Sequence, residues 1–80
     1  MKDEELIEIV RKYTEHFKLT IKEDTTSFKI YGSTIVGCLT KKEKKYFRYW
    51  SDRKWCECKT TDLMISILEN MPLHESVHVL

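Results

Sequence analysis

The feature that most constrains this chain is a two-residue alternation that runs from Lys18 to Lys59 and is broken at short intervals. "KLTIK", "SFKIY", "TIVGCLT", "KKYFRYW" and "KWCECK" each set one side of the backbone against the other, the pattern of half-buried strands. Between them lie only "EDTT", "GS", "KKE" and "DR". A parallel neighbour needs a crossover of about a dozen residues, so connections this short join antiparallel neighbours in a meander. The alternation predicts five strands, over about 18–22, 27–31, 34–40, 44–50 and 54–59.

Helical periodicity flanks this region on both sides. Leu6, Ile9, Val10, Tyr13 and Phe17 recur at three- and four-residue spacing and predict a helix over about 3–16. Asp3 stands where a cap is needed, with Glu4 and Glu5 at the positive end of the helix dipole. Thr60 or Thr61 caps a second helix over about 61–71, with Leu63, Met64, Ile67, Leu68 and Met71 as its apolar face and Pro72 as its stop. The tail 72–80 fits a short strand or a loose end. Eighty residues leave room for one core, so residues 1–80 are read as a single domain.

Register arithmetic separates the faces of the sheet. A turn on Asp52 and Arg53 pairs Trp50 with Trp55, Arg48 with Glu57, Tyr49 with Cys56 and Phe47 with Cys58. A turn on Gly32 and Ser33 pairs Ile30 with Ile35 and Phe28 with Gly37, and pairing across "EDTT" sets Ile21 opposite Phe28. One face then collects Leu19, Ile21, Phe28, Ile30, Ile35, Leu39, Phe47, Tyr49, Cys56 and Cys58. A one-residue slip in any strand would mix it with polar groups. Both helices are available to cover this face. The predicted architecture is α+β: an N-terminal helix, a five-stranded antiparallel meander and a C-terminal helix, with both helices on one face and the other face open.

The open face would carry Lys18, Thr20, Lys22, Lys29, Tyr31, Thr34, Val36, Cys38, Tyr46, Arg48, Trp50, Trp55, Glu57 and Lys59. Rings interleaved with cations suit single-stranded nucleic acid, where bases stack on aromatics and Lys or Arg meets phosphate. Sheets backed by two helices read single-stranded RNA in this way, a likeness of layer order only. The candidate binding residues are Lys29, Tyr31, Tyr46, Arg48, Trp50, Trp55 and Lys59. The same composition suits a protein interface, since Tyr, Trp and Arg are enriched at interface centres. The partner on that reading is a second copy of the chain, giving a homodimer, or a larger protein. A phage or mobile-element accessory protein that blocks host nucleic-acid machinery is one such case. A cross-strand Trp pair that merely stiffens a hairpin explains Trp50 and Trp55 equally simply.

Charge is segregated along the chain. Residues 1–25 hold five basic and seven acidic side chains, residues 29–59 nine and three, and residues 60–80 none and three. The balances are −2, +6 and −3, so acidic ends enclose a basic middle. The acidic ends raise a variant in which the helical side meets a basic surface.

Other chemistries have less to stand on. Cys56, Cys58, His74 and His78 form a two-Cys, two-His set, but one residue separates the cysteines where structural zinc sites use two to four. In a strand these cysteines simply share a core-facing side. No Gly-rich phosphate loop or nucleophile motif is present, so the chain reads as a binding protein, not an enzyme, with no cofactor. Cys38, among basic neighbours, is a candidate reactive thiol. An odd count of three cysteines, an acidic N-terminus and the lack of any apolar run of about 20 residues point to a cytoplasmic chain with no membrane partner.

Overall fold

The computed structural model describes residues 2–51 and 53–75. Its elements are α1 (Asp3–His16), β1 (Thr20–Glu23), β2 (Ser27–Tyr31), β3 (Ile35–Thr40), β4 (Tyr46–Ser51), β5 (Lys54–Lys59), α2 (Asp62–Glu69) and a closing 3₁₀ turn, Leu73–Glu75. Among the described residues the five strands form one open antiparallel sheet in chain order. This is the expected α+β meander, with α1 and α2 on one face. No helix among the described residues is long and apolar enough to cross a membrane.

The core lies between the layers. Val10 and Tyr13 of α1 and Leu63 of α2 meet Phe28, Ile30, Leu39 and Phe47 of the sheet, all buried. Each such side chain contributes about 1.5–3 kcal/mol of transfer free energy. The Tyr13 ring lies 5.0 Å from Phe17 and 6.0 Å from Phe47, centroid to centroid. Its hydroxyl accepts the Leu73 N–H at 3.0 Å, which anchors the closing turn across the core. Gly37 gives the Phe47 ring its space: a Cβ there would stand 2.9 Å from Cε1 and 3.1 Å from Cε2. The sheet needs a residue without a side chain at that point because Phe47 is itself fully enclosed.

The ends of the helices depart from expectation. Lys2, not Asp3, occupies the cap of α1, and the Glu5 carboxylate accepts its backbone N–H at 3.4 Å. Asp3 lies within the first turn and pairs instead with Lys44 Nζ at 3.1 Å. α1 closes with Lys18 in the left-handed region (φ 56°); Lys18 N–H reaches the Glu15 carbonyl and Leu19 N–H that of Thr14. This Schellman arrangement takes Lys18 out of the sheet, so β1 begins at Thr20, not at residue 18. At α2, Thr61 holds the cap position without a side-chain capping bond. Thr60 is committed elsewhere, its hydroxyl donating to the Lys44 carbonyl at 2.6 Å. Asn70, left-handed at φ 55°, closes α2, where the Ser66 hydroxyl donates to the Met71 carbonyl.

α2 also turns differently from its predicted face. Leu63 and Ser66 are buried and Ile67 half-buried, whereas Leu68 and Met71 point to solvent. Ser66, bonded to the Met71 carbonyl, lies on the buried side of α2, and Leu68 lies on the outer side.

Register in the β4–β5 hairpin matches the prediction pair for pair, from Phe47 opposite Cys58 to Trp50 opposite Trp55. In β1–β2, Ile21 faces Ile30 and not Phe28, a two-residue shift that preserves the faces. In β2–β3, Phe28 pairs with Leu39 and Ile30 with Gly37, and a bulge next to Tyr31 then sets Tyr31 opposite Ile35. The extra residue of the bulge exchanges two neighbours between faces. Ile35 joins the open face, and Val36, expected there, packs on the core.

Candidate nucleic-acid interface

Strand pairing arranges the open face in three rows that run across the strands. The first holds Tyr31 beside Ile35 and Trp50 beside Trp55. The second follows the ladder from Lys22 to Lys29, Cys38, Arg48 and Glu57. The third pairs Tyr46 with Lys59. Rows on one face lie about 7 Å apart and neighbouring strands about 4.8 Å apart. All seven residues predicted for the site therefore share one face.

Their availability differs. Trp55 and Tyr46 are 45% and 44% exposed and mark opposite ends of the β4–β5 hairpin. Trp50 is half-buried and meets Trp55 edge to face, with centroids 5.7 Å apart and planes at 73°. That geometry supplies about 0.5–1.5 kcal/mol to the hairpin. Trp50, Trp55, Ile35 and Thr34 line an open cleft of about 330 Å³.

Two predicted residues are already engaged. Lys29 Nζ lies 3.2 Å from Asp24 Oδ2, and this hydrogen-bonded ion pair raises the lysine's pKa. The half-buried Tyr31 ring carries Lys22 Nζ 4.9 Å above its centroid, a cation–π contact. Arg48 and Lys59 are exposed, and neither is ion-paired among the described residues. Arg48 faces Glu57 in register, yet the two charges stand beyond salt-bridge distance.

Sequence reasoning missed one contact of this face and one of its members. Lys22 was legible on this face by alternation, but its link to Tyr31 is a diagonal contact that depends on pairing register. Ile35 was hidden because nothing in "GSTIV" announces the bulge.

Cys56 and Cys58 point toward the helix layer, as expected of alternate strand residues. Burial pushes the Cys58 thiol up to about 12, as for a cysteine packed on the core. Among the described residues no three His, Cys, Asp or Glu side chains come together as a metal site. His78, the fourth member of the proposed set, lies outside the described residues. No protein-family model matches the chain, and no curated protein or solved structure is detectably similar to it.

Proposed function

We propose that the open sheet face binds single-stranded nucleic acid and that the chain is a binding protein, not an enzyme. The observation that carries this reading is the placement of exposed Trp55 and Tyr46 on the face where Arg48 and Lys59 lack ion-pair partners among the described residues. Bases stacked on the two rings would gain ~1–3 kcal/mol each, with the backbone passing Arg48 between them. Lys29 and Tyr31 take a supporting part, since Asp24 and Lys22 already occupy them.

The test is a titration of Trp fluorescence with single-stranded and duplex oligonucleotides at about 50 and 200 mM salt. Single strands should quench the signal and bind more tightly than duplex. Trp55→Ala should weaken binding roughly 5- to 150-fold, the equivalent of one stacked base. Arg48→Ala should lower the salt slope by about 0.7, the share of one phosphate contact on a single strand. Absence of binding at the lower salt would dismiss the proposal.

A second reading rests on the apolar row of Ile35, Trp50 and Trp55, whose residue types suit an interface centre. On that reading the face meets a protein, the first candidate being a second copy of the chain. A dimer in sedimentation that Trp50→Ala or Trp55→Ala dissociates would favour it over nucleic acid.

A further inference from the structure

The other side of the molecule carries an apolar ridge with no covering element among the described residues. Ile65, Leu68 and Met71, at three-residue spacing along and just beyond α2, are 51%, 81% and 51% exposed. A two-layer domain normally turns charge outward from such a helix, and large side chains left in water together mark a contact surface. The helical side also carries two grooves, and the ridge borders the second of them. One, of about 520 Å³, runs between the helices, with Ile9 and Met64 on its floor. The other, of about 200 Å³, lies under Ile65 and Met71.

Charge around these grooves is predominantly negative. Glu4, Glu5 and Glu8 line the first, with Lys12 as the single opposing cation. Asp62 and Glu69 line the second. None of these five carboxylates is ion-paired among the described residues. No Lys or Arg occurs in residues 60–80 at all. An acidic rim around exposed Ile, Leu and Met side chains is complementary to one kind of occupant, a helix with an apolar stripe and a basic flank. Phosphate backbones and anionic bilayer surfaces would be repelled by the same rim.

We infer that the α1–α2 face is a docking site for a basic amphipathic helix of another protein. The inference does not depend on what the sheet face binds. Two observations meet in it: apolar residues at three-residue spacing with nothing over them among the described residues, and a surrounding charge that selects the partner's sign.

The test uses a fluorescein-labelled 18-residue Leu/Lys peptide with a helical apolar stripe. Two comparison peptides accompany it, one of the same composition with the stripe permuted away and one with Glu in place of Lys. The first should bind at least tenfold more tightly than either. Leu68→Asp should weaken it at least tenfold, and Glu8→Lys with Glu69→Lys should flatten its salt dependence. Leu68 is exposed, so the variant's amide spectrum should match the parent's and report an intact fold. Amide shifts on binding should map to α1 and α2, with the Trp50 and Trp55 indole signals unmoved. Equal binding of the permuted peptide would reduce the effect to charge alone and overturn the inference. So would shifts confined to the sheet, or no response to Leu68→Asp. Self-association lost in Leu68→Asp would assign the face to a second copy. Cross-relaxation in the free chain from residues 76–80 to Leu68 would assign it to the chain's own end.

Discussion

Asp24 carries much of the β1–β2 connection on one carboxylate. Its Oδ1 accepts the backbone N–H groups of Thr26 and Ser27, each at 2.8 Å, and its Oδ2 faces Lys29 Nζ at 3.2 Å. The Thr26 N–H, then the Ser27 N–H, then Lys29 hold the carboxyl well below the usual carboxylate range. The sign of the pH effect follows from linkage. A pKa depressed in the folded state stabilises in full above the unfolded value, about 3.9, and that contribution is lost as pH falls through the folded one. Asp24→Asn keeps an oxygen acceptor for the turn and removes the charge. The variant should be less stable than the parent at pH 7, and the gap should narrow progressively as pH falls from about 5 toward 2. Urea unfolding at a series of pH values measures it. Curves that stay parallel down to pH 2 would show that the turn draws nothing from the charge.

Thr60 ties the start of α2 to the β3–β4 loop by hydrogen bonds. Fully buried between β5 and α2, it donates its hydroxyl to the Lys44 carbonyl at 2.6 Å and its N–H to the Lys45 carbonyl at 2.8 Å. The start of α2 is thereby fixed to the β3–β4 loop. Thr60→Val keeps the shape but leaves the Lys44 carbonyl short of a donor, at a cost of about 1–3 kcal/mol. A lower urea midpoint at unchanged slope would report that loss; an unchanged midpoint would mean that water replaces the hydroxyl. This contact could not be read from the chain, where Thr60 looks like one of two helix caps. What was legible at this scale followed from alternation and complementary pairs. Trp50 with Trp55 and Arg48 with Glu57 fixed the β4–β5 register, because no other alignment of a two-residue turn keeps both pairs. The seven site residues fell on one face for the same reason. The β2–β3 bulge was not legible, since it depends on how Tyr31, Ile35 and Val36 share space under α1 and beside Trp50. The Asp24–Lys29 pair was equally hidden, because it needs the turn's three-dimensional path and not its residue types. Leu68 was placed inward by its spacing and lies outward, because a two-turn helix has room to bury only one narrow line of side chains.

At the scale of the molecule, the charge pattern along the chain becomes a separation in space. The basic middle segment builds most of the sheet, and the acidic ends build the helices, so the two faces carry opposite signs across a thickness of two layers. Coupling between sites requires an element that both ligands bias. The ring cluster of Trp50 and Trp55 and the ridge at Leu68 share no element and are separated by the buried core of Val10, Ile30, Leu39, Phe47 and Leu63. A single-stranded oligonucleotide on the sheet and a basic amphipathic peptide on the helices should therefore bind together. Each should change the other's affinity by less than about twofold, a coupling below about 0.4 kcal/mol. Direct attraction between the two ligands sets the sign of any remainder, since a basic peptide and a phosphate backbone favour each other, and added salt should abolish it. Peptide anisotropy measured with and without saturating oligonucleotide decides the matter. Mutual exclusion would mean that one surface serves both ligands, and the pattern of loss in Trp55→Ala and Leu68→Asp would identify which.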